Sequence, residues 1–260
     1  MDNSIYEKIV KKKEFSEIPR EDVEKVWSLF EGKNLLDEER VKKVRDLLRI
    51  VYSGFGGRKI LAWKDKSPED VLKKHLSTRE RYNYYLEVYG RILSGFNKGK
   101  ELNVIDLGSG VNGFSYNFFK EIGYNVNYTG VEALGQLVNT TNSFFKKNKI
   151  KGRVHHLSLF QKEKVIDVIS NTKKPRVVFM FKIIDALETL ERNYTLRFLE
   201  SLKSSGTDKI AISFATESWL KRRKFLVQRT WLINFLKDNF DIIDDFTLGG
   251  ERYIVFTNKQ

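Results

Sequence analysis

Two glycines placed directly after an apolar strand give this sequence its clearest chemical signal. Residues 104–107 read as a strand that contains Asp106, and Gly108 and Gly110 follow it at once. Because glycine has no Cβ, such a turn brings backbone amides close against a nucleotide-like group. We expect Asp106 to accept hydrogen bonds from the amides of this glycine loop or from the ammonium group of a ligand. The spacing also occurs in ordinary α/β proteins, so the residues that follow must decide.

A second carboxylate stands at the end of the next apolar segment. Residues 128–132 read as a strand whose last residue, Glu132, lies where a ribose diol crosses the strand ends of nucleotide-binding sheets. This succession of strand, glycine loop, helix and strand tipped with Glu132 resembles the S-adenosyl-L-methionine site of class I methyltransferases. A nicotinamide enzyme or a ligand-free Rossmann-like domain remains the alternative.

The ends of the third and fourth predicted strands supply further candidate site residues. Many methyltransferases hold the adenine amino group with an acid after the third strand, and none stands there in this sequence. The resemblance therefore leaves the backbone near Leu157 and Ser158 to contact adenine. Phe181 ends the fourth strand, which borders the transferred methyl group in this fold. Lys182 and Asp185 follow it and are the candidate catalytic residues.

Composition limits the classes of partner and chemistry. The chain has 260 residues, 41% of them hydrophobic, and a formal charge of +13. This positive charge favours a polyanionic partner, although a lysine-rich thermophile surface also produces it. The absence of cysteine excludes disulfides, thiolate metal sites and a cysteine nucleophile, and His75, His155 and His156 lack the spacing of a zinc site. We therefore expect no metal.

Hydropathy bears on the location of the protein. No apolar run reaches the length of a membrane span, and the first residues are too charged for a secretory signal. We expect a cytoplasmic monomer that makes no membrane contact.

A basic and aromatic segment after the fifth predicted strand is suited to nucleic acid. Its cations would hold phosphates, and an aromatic ring would stack on a flipped base. An amphipathic helix with packed aromatic residues is the alternative. The candidate RNA-binding residues are Trp219, Lys221, Arg222, Arg223, Lys224 and Arg229.

The pattern of apolar segments predicts the elements that position these residues. Residues 1–100 read as helical, with one helix starting at Ser67 and another running over 78–93. From residue 101 onward apolar and helical segments alternate, which predicts a parallel, doubly wound α/β sheet. The predicted strands are 102–107, 126–131, 152–157, 176–181 and 209–214, and the predicted helices are 114–122, 134–147, 191–203 and 218–239.

The last residues predict a different arrangement. Residues 241–247 and 253–257 flank a Gly-Gly turn and read as an antiparallel hairpin. A hairpin at the end of a parallel sheet is the order of the class I methyltransferases. We therefore predict a Rossmann-like class I fold with a seven-stranded sheet, a C-terminal antiparallel hairpin and an N-terminal helical domain.

Four short motifs make the resemblance more specific. Residues 75–81, HLSTRER, are similar to the His-x-Ser-Thr-x-Glu-Arg signature of the aminoglycoside-resistance 16S ribosomal RNA methyltransferases. Residues 110–112, 177–182 and 211–214 are similar to the glycine loop and the fourth and fifth strands of the same family. The resemblance implies that Arg79 binds the methionyl carboxylate of S-adenosyl-L-methionine, since a guanidinium matches a carboxylate.

The family also implies a division of labour along the chain. Residues 1–100 would form a helical domain that docks ribosomal RNA, and residues 101–260 would form the methyltransferase domain. The expected partner is small-subunit ribosomal RNA or the assembled 30S subunit. The thermophile-like composition favours a housekeeping relative over a resistance determinant.

Departures from the family pattern surround the pocket for the target base. Gly113 and Asp185 stand where the family has proline, and Ser109 stands where it usually has cysteine. The family methylates guanine N7 in the decoding region, and that lone pair needs positioning but no base. A cytosine N4 amine must lose a proton, which Asp185 would accept. The sequence leaves both atoms open, together with a tRNA, protein or small-molecule methyltransferase and a catalytically degenerate RNA-binding protein.

Overall fold

The computed structural model describes residues 1–52, 66–216 and 229–259 of the chain. Within these ranges seven strands form one sheet in the order β3-β2-β1-β4-β5-β7-β6. The strands are β1 (Glu101–Leu107), β2 (Asn125–Glu132), β3 (Gly152–His156), β4 (Arg176–Phe181), β5 (Lys209–Ala215), β6 (Phe240–Leu248) and β7 (Glu251–Asn258). The helices are α1 (Asn3–Val10), α2 (Arg20–Ser28), α3 (Asp37–Tyr52), α4 (Pro68–Lys74), α5 (Leu76–Arg81), α6 (Tyr85–Ile92), α7 (Tyr116–Glu121), α8 (Gly135–Lys147), α9 (Lys162–Ser170), α10 (Ile184–Leu190), α11 (Tyr194–Leu202) and α12 (Thr230–Asn239).

Strand pairing confirms the predicted fold class. The first five strands pair in parallel, β1 with β2 and β4, β2 with β3, and β4 with β5. The last strand, β7, runs antiparallel to both β5 and β6. The chain winds outward from β1 in one direction through β2 and β3, and in the other through β4 and β5. A crevice at the carboxyl ends of the strands, where the direction changes, is the usual ligand site of such sheets.

Side chains along the central strands alternate between two apolar cores. In β4, Val177 and Phe179 pack into one core, whereas Val178 and Met180 pack into the other, and all four are fully buried. Parallel strands covered on both faces read as unbroken apolar runs in sequence. This burial on both faces explains why the strand was predictable. It also holds the end of β4, and therefore the start of the loop that follows, in place.

Helix α4 begins as the sequence predicts. Ser67 Oγ accepts a hydrogen bond from Asp70 N at 3.1 Å, and Asp70 Oδ2 accepts one from Ser67 N at 3.3 Å. Pro68 occupies the first helical position, where its missing N–H costs nothing. This reciprocal cap satisfies two of the free donors of the helix start.

The helix expected over residues 78–93 is interrupted, so the prediction of one continuous helix is wrong. The chain instead forms α5, a 3₁₀ turn at Tyr82–Tyr84 and α6. The backbone of Tyr84 lies at φ −117° and ψ 0°, outside helical values. Residues 82–85 are three tyrosines and an asparagine, which favour helix less than leucine or lysine does.

Two short helices lie where no helix was predicted. Helix α9 forms the crossover from β3 to β4, and α10 begins the crossover from β4 to β5, which α11 completes. Helices α9 and α10 are only nine and seven residues long, with Val165 and Ile169 buried in α9 and Ile184, Leu187 and Leu190 buried in α10, so the helical period is hard to recognise. The helix predicted over 218–239 appears as α12, and residues 217–228 lie outside the described ranges.

The first helices lie against segments that follow the strands at the carboxyl edge of the sheet. The carbonyl of Glu17 accepts a hydrogen bond from Gly135 N at 3.0 Å, after β2. Gln161 Nε2, after β3, donates to Glu21 Oε1 at 2.6 Å. The division of the chain into domains at residue 100 stays a prediction. Nowhere in the described ranges is a helix both long enough and apolar enough to cross a bilayer.

We predict that the buried ion pair between Arg81 and Glu251 is far more important for stability than the exposed pair on the same hairpin. Arg81 Nη2 lies 2.6 Å from Glu251 Oε1, and both side chains are 1% exposed. Glu251→Gln should lower the free energy of unfolding by about 3 kcal/mol or more, because it leaves a buried guanidinium without a counter-charge.

The control is Asp245→Asn, which removes the partner of Arg252 in a pair about one-third exposed. Such a pair contributes at most about 1 kcal/mol. Urea unfolding of both variants provides the measurement. Equal losses in the two variants would contradict the structural role given to Arg81.

Candidate functional site

The glycine loop turns sharply after β1, on the way to α7. Gly108 and Gly110 have φ of +67° and +50°, values that other residues rarely adopt. The amides of Gly108 and Ser109 both donate to the carbonyl of Val131, at 2.8 and 3.0 Å. A Cβ on Gly108 would lie only 2.5 Å from Cγ2 of Ile183, so the loop passes directly against the start of α10.

Glu132 fixes the other side of this turn. Its Oε2 accepts a hydrogen bond from Gly110 N and its Oε1 accepts one from Leu134 N, both at 2.8 Å. Burial raises the pKa of Glu132, and these amide donors partly offset the effect. Each carboxylate oxygen can accept a further hydrogen bond. A rigid carboxylate with two free acceptor positions is suited to a vicinal diol such as that of ribose.

Gly108 and Glu132 line one cavity at the carboxyl edge of the sheet. It encloses about 510 Å³ of empty space, counted out to its open mouth, within the range of small-molecule sites. The walls are mostly apolar, which suits a flat aromatic base. The remaining lining residues are Asp22, Val51, Tyr52, Ala133, Leu159, Phe160, Ile183, Ala186, Leu187 and Leu190.

Two polar residues of this cavity come from the N-terminal helices and were missed by the sequence analysis. Asp22 lies in α2 and Tyr52 ends α3, and the Tyr52 hydroxyl donates a hydrogen bond to Asp22. Both stand far from the glycine loop in sequence, and no local motif marks either of them. Only the tertiary packing of α2 and α3 brings them to the cavity.

The segment after β3 approaches the cavity through different residues from those predicted. Leu157 N donates to the carbonyl of Glu132 at 3.0 Å, and Ser158 is fully buried with its Oγ accepting from Phe160 N at 3.0 Å. These bonds shape the segment, and the next residues, Leu159 and Phe160, line the cavity. A contact of Leu157 and Ser158 with adenine stays a prediction.

Asp106 does not make the bonds expected with the glycine loop. Its Oδ2 accepts from the side chain of Asn112 at 2.7 Å and from the hydroxyl of Tyr128 at 2.5 Å. The positive φ of the glycines turns the loop amides toward β2, so those amides bond Val131 and Glu132 instead. Burial raises the pKa of Asp106 to about 6. A role for Asp106 toward a ligand stays a prediction.

The two arginines of the HLSTRER motif lie in opposite environments. Arg79 is exposed, so its guanidinium is accessible to a ligand carboxylate, and that role stays a prediction. Arg81 is buried, pairs with Glu251 and donates to the hydroxyl of Tyr253 at 3.0 Å. Its guanidinium also lies 4.5 Å from the ring centre of Phe181. Phe181 thus packs on the Arg81 side of the sheet and does not line the cavity.

Lys182 leaves β4 in a constrained backbone conformation. Its φ is +56°, and its amide donates to the carbonyl of Ser213 at 3.0 Å. Its ammonium pairs with Glu80 and lies 3.6 Å from Glu251 Oε2. The lysine therefore ties α5, β5 and β7 together, and its side chain is engaged by carboxylates.

Asp185 and Arg229 form a two-pronged ion pair at the start of α10. Arg229 donates to the two oxygens of Asp185 at 3.1 and 2.6 Å. The same guanidinium donates to the carbonyl of Ala215 at 3.0 Å and is 6% exposed. In this arrangement Asp185 is not free to accept a proton, and Arg229 is not free to bind a phosphate. The other predicted RNA-binding residues lie outside the described ranges: Trp219, Lys221, Arg222, Arg223 and Lys224.

Metal ligation finds no support in this part of the molecule. In the residues that the structure describes, no group of three or more histidine, aspartate or glutamate side chains is placed to hold a metal ion.

We predict that Gly108→Ala is costly for a steric reason as well as a conformational one. The added Cβ meets Ile183, so the variant should lose about 2 kcal/mol or more of unfolding free energy, combining positive φ with overpacking. Gly95→Ala is the matched control, because Gly95 has φ +84° and open space around it. In an Ile183→Ala background the cost of Gly108→Ala should fall to that of the control. An unchanged cost in that background would contradict the contact.

We also predict that Asp106→Asn stabilises the protein at high pH relative to low pH. The folded-state pKa of about 6 exceeds the ordinary 3.8, so ionising Asp106 opposes folding by up to about 3 kcal/mol. This cost is absent below pH 3.8 and complete above pH 6. Asparagine never ionises and keeps an acceptor for Tyr128. Urea unfolding between pH 5 and pH 8 should show the variant gaining stability relative to the wild type, and a constant difference would be contrary to this account.

Comparisons with known proteins identify a family. The family model described as "Ribosomal RNA methyltransferase (FmrO)" matches residues 30–235. A curated relative from Proteus mirabilis, named 16S rRNA (guanine(1405)-N(7))-methyltransferase, is 25% identical over 199 residues. That alignment covers 74% of this chain and 66% of the relative, so the chain spans slightly less than two thirds of the relative's length.

Two solved structures share the fold over almost their full length. The 16S rRNA methylase RmtB matches with a TM-score of 0.76 at 18% identity, covering 99% of this chain and 98% of RmtB. The 16S rRNA methyltransferase RmtF, solved in complex with S-adenosyl-L-homocysteine, matches with a TM-score of 0.76 at 18% identity, covering 100% of both chains. The resemblance inferred from residues 75–81 is confirmed. From the family model, which covers most of the chain, we conclude that this protein belongs to the FmrO family of ribosomal RNA methyltransferases.

Proposed function

We propose that this chain transfers a methyl group from S-adenosyl-L-methionine to a base nitrogen of small-subunit ribosomal RNA, and that the nitrogen is guanine N7. Family membership supports the reaction class. The name of the Proteus mirabilis relative supports guanine N7 of 16S rRNA, and the complex of RmtF with S-adenosyl-L-homocysteine supports the cofactor. The decoding region of the small subunit is the proposed target, and the cytoplasm is the proposed location.

The residues around the cavity fit this cofactor. Glu132 has two acceptor positions for the ribose hydroxyls, and Gly108 lines the same cavity, where its missing Cβ lets the loop pass directly against Ile183. Leu159 and Ile183 provide apolar surface for the base. Arg79 does not line the cavity, and its exposed guanidinium is the proposed partner of the methionyl carboxylate. When bound, the cofactor supplies an electrophilic methyl group on a sulfonium centre.

The observation that carries the choice of guanine N7 is the ion pair between Asp185 and Arg229. A cytosine N4 amine needs an acceptor for its proton, and both oxygens of Asp185 already accept from Arg229. Lys182, the other candidate, is held by Glu80 and Glu251. A guanine N7 lone pair needs no base, so an edge that only positions the nucleotide is sufficient.

The chain contributes positioning through a rigid strand edge. Lys182 N donates to both the carbonyl and the hydroxyl of Ser213, at 3.0 and 3.2 Å, which locks the end of β4 to β5. The ion pairs of Lys182 and Arg81 then fix α5 against the hairpin. A target base that binds at this edge of the sheet would therefore contact a rigid surface formed by the end of β4, α5 and the C-terminal hairpin.

Charge supports the RNA partner. The net charge of +13 favours a polyanion, and the basic segment at residues 219–224 remains the proposed phosphate contact. The protein would act as a monomer on 16S rRNA, either free or assembled in the 30S subunit. Docking of the RNA by residues 1–100 is part of the same proposal.

Cytosine N4 is the second candidate because of one observation. The side chain of Asp185 is 67% exposed, so an RNA phosphate that drew Arg229 away would release a carboxylate at the target edge. The two candidates then differ in whether Asp185 takes part in the reaction.

We predict that purified protein, given S-adenosyl-L-methionine and either 30S subunits or naked 16S rRNA, forms 7-methylguanosine. Nucleoside mass spectrometry of the RNA identifies the product. Asp185→Asn keeps an acceptor for Arg229 and removes the base. Under the N7 proposal its rate should change less than about tenfold, whereas loss of a true general base lowers the rate about 100-fold or more.

The outcomes separate the alternatives. N4-methylcytidine together with a large loss in Asp185→Asn would replace guanine N7 by cytosine N4. An absence of methylated nucleoside from both RNA substrates, with the cofactor still bound, would overturn the RNA proposal.

A further inference from the structure

Asp22 brings a buried carboxylate to the lining of the cavity. Asp22, in α2, is 1% exposed and lines the same cavity as Gly108 and Glu132. Its Oδ1 accepts the hydrogen bond of the Tyr52 hydroxyl. Its Oδ2 has no partner at hydrogen-bond geometry among the residues that the structure describes, while the Ser158 hydroxyl lies close enough to the carboxylate to lower its pKa. A buried carboxylate oxygen without a donor is costly, so this atom is suited to a donor that a ligand brings.

The surroundings of Asp22 select the kind of ligand. Burial raises the pKa of Asp22, and the hydroxyls of Ser158 and Tyr52 partly offset this by lowering the pKa. The charge of Asp22 in turn raises the pKa of Glu132, so two carboxylates face one apolar space. Such a site favours a neutral or cationic ligand with hydrogen-bond donors and disfavours an anionic one.

The segment after β3 leaves one donor of adenosine without an acidic acceptor. Glu132 serves the ribose hydroxyls, and His155 and His156 stand where an acid would accept from the adenine amino group. His156 Nε2 lies 2.9 Å from the carbonyl of Glu17, so its ring is engaged elsewhere. Asp22 faces Ser158, which belongs to this same segment.

We infer that Asp22 accepts a hydrogen bond from the exocyclic amino group of adenine and thereby sets the preference of the site for adenosine. This inference rests on the proposed function, since it requires S-adenosyl-L-methionine to occupy the cavity. Helix α2 thus supplies the acidic acceptor for the adenine amino group that is missing after β3. Tyr52 orients the carboxylate by holding Oδ1, which leaves Oδ2 for the ligand.

The test measures binding and not activity. Isothermal titration calorimetry compares S-adenosyl-L-homocysteine with the analogue in which hydrogen replaces the 6-amino group. The wild type should bind the amino compound about tenfold or more tightly, the scale of one hydrogen bond to a charged acceptor. Asp22→Ala should bind both compounds equally. Glu21→Gln is the matched control, because it removes the same charge from the adjacent, exposed position of α2 and should keep the preference.

The results separate this inference from the proposed function. Equal binding of the two compounds by the wild type, or a preference that persists in Asp22→Ala, overturns the role of Asp22 alone. Failure of the wild type to bind either compound overturns the cofactor assignment as well. If Asp22→Ala does not fold, as judged by circular dichroism, the isosteric Asp22→Asn replaces it. Its amide oxygen stays with the Tyr52 hydroxyl and its NH2 group, a donor, faces the ligand, so this variant should lose the preference. The wild-type comparison needs no variant and can overturn the inference by itself.

Discussion

The carboxylate of Glu132 is the interaction on which the site depends. It binds the amides of Gly110 and Leu134 at 2.8 Å each and so joins the loop after β1 to the segment after β2. A carboxylate buried this deeply needs such donors, because burying its charge without them would cost the fold roughly several kcal/mol. The glycine loop must therefore keep its amide turned toward Glu132, and the positive φ of Gly108 and Gly110 makes that possible. This constraint fixes the part of the cavity wall that the segments after β1 and β2 form.

The glycine loop separates two regions with different roles. On one side lies the apolar cavity, whose lining includes Asp22 and Tyr52 from the N-terminal helices. On the other side Arg81 and Glu251 form a buried ion pair whose groups bond one another and their neighbours. Part of the HLSTRER motif is thus structural, which the motif by itself does not reveal. Arg79, exposed two residues earlier, is the member of the motif that remains available to a ligand.

Local patterns made the sheet predictable, and long-range contacts limited the prediction of the site. The strands read as apolar runs because both faces are buried, and Gly108 and Glu132 were found because the first directly follows a strand and the second ends one. Asp22 reaches the cavity only through the packing of α2, which no spacing encodes. Asp185 was a reasonable general base until the fold placed Arg229 against it, from 44 residues away in sequence. The partners of a charged side chain decide its chemistry, and they come from tertiary structure.

The most direct test of the account is a crystal structure of the protein with S-adenosyl-L-homocysteine. We expect the ribose hydroxyls to lie at hydrogen-bond distance from Glu132, with adenine in the cavity between Leu159 and Ile183. This expectation is contradicted if the cavity beside Gly108 stays closed by side chains and the ligand binds elsewhere or not at all.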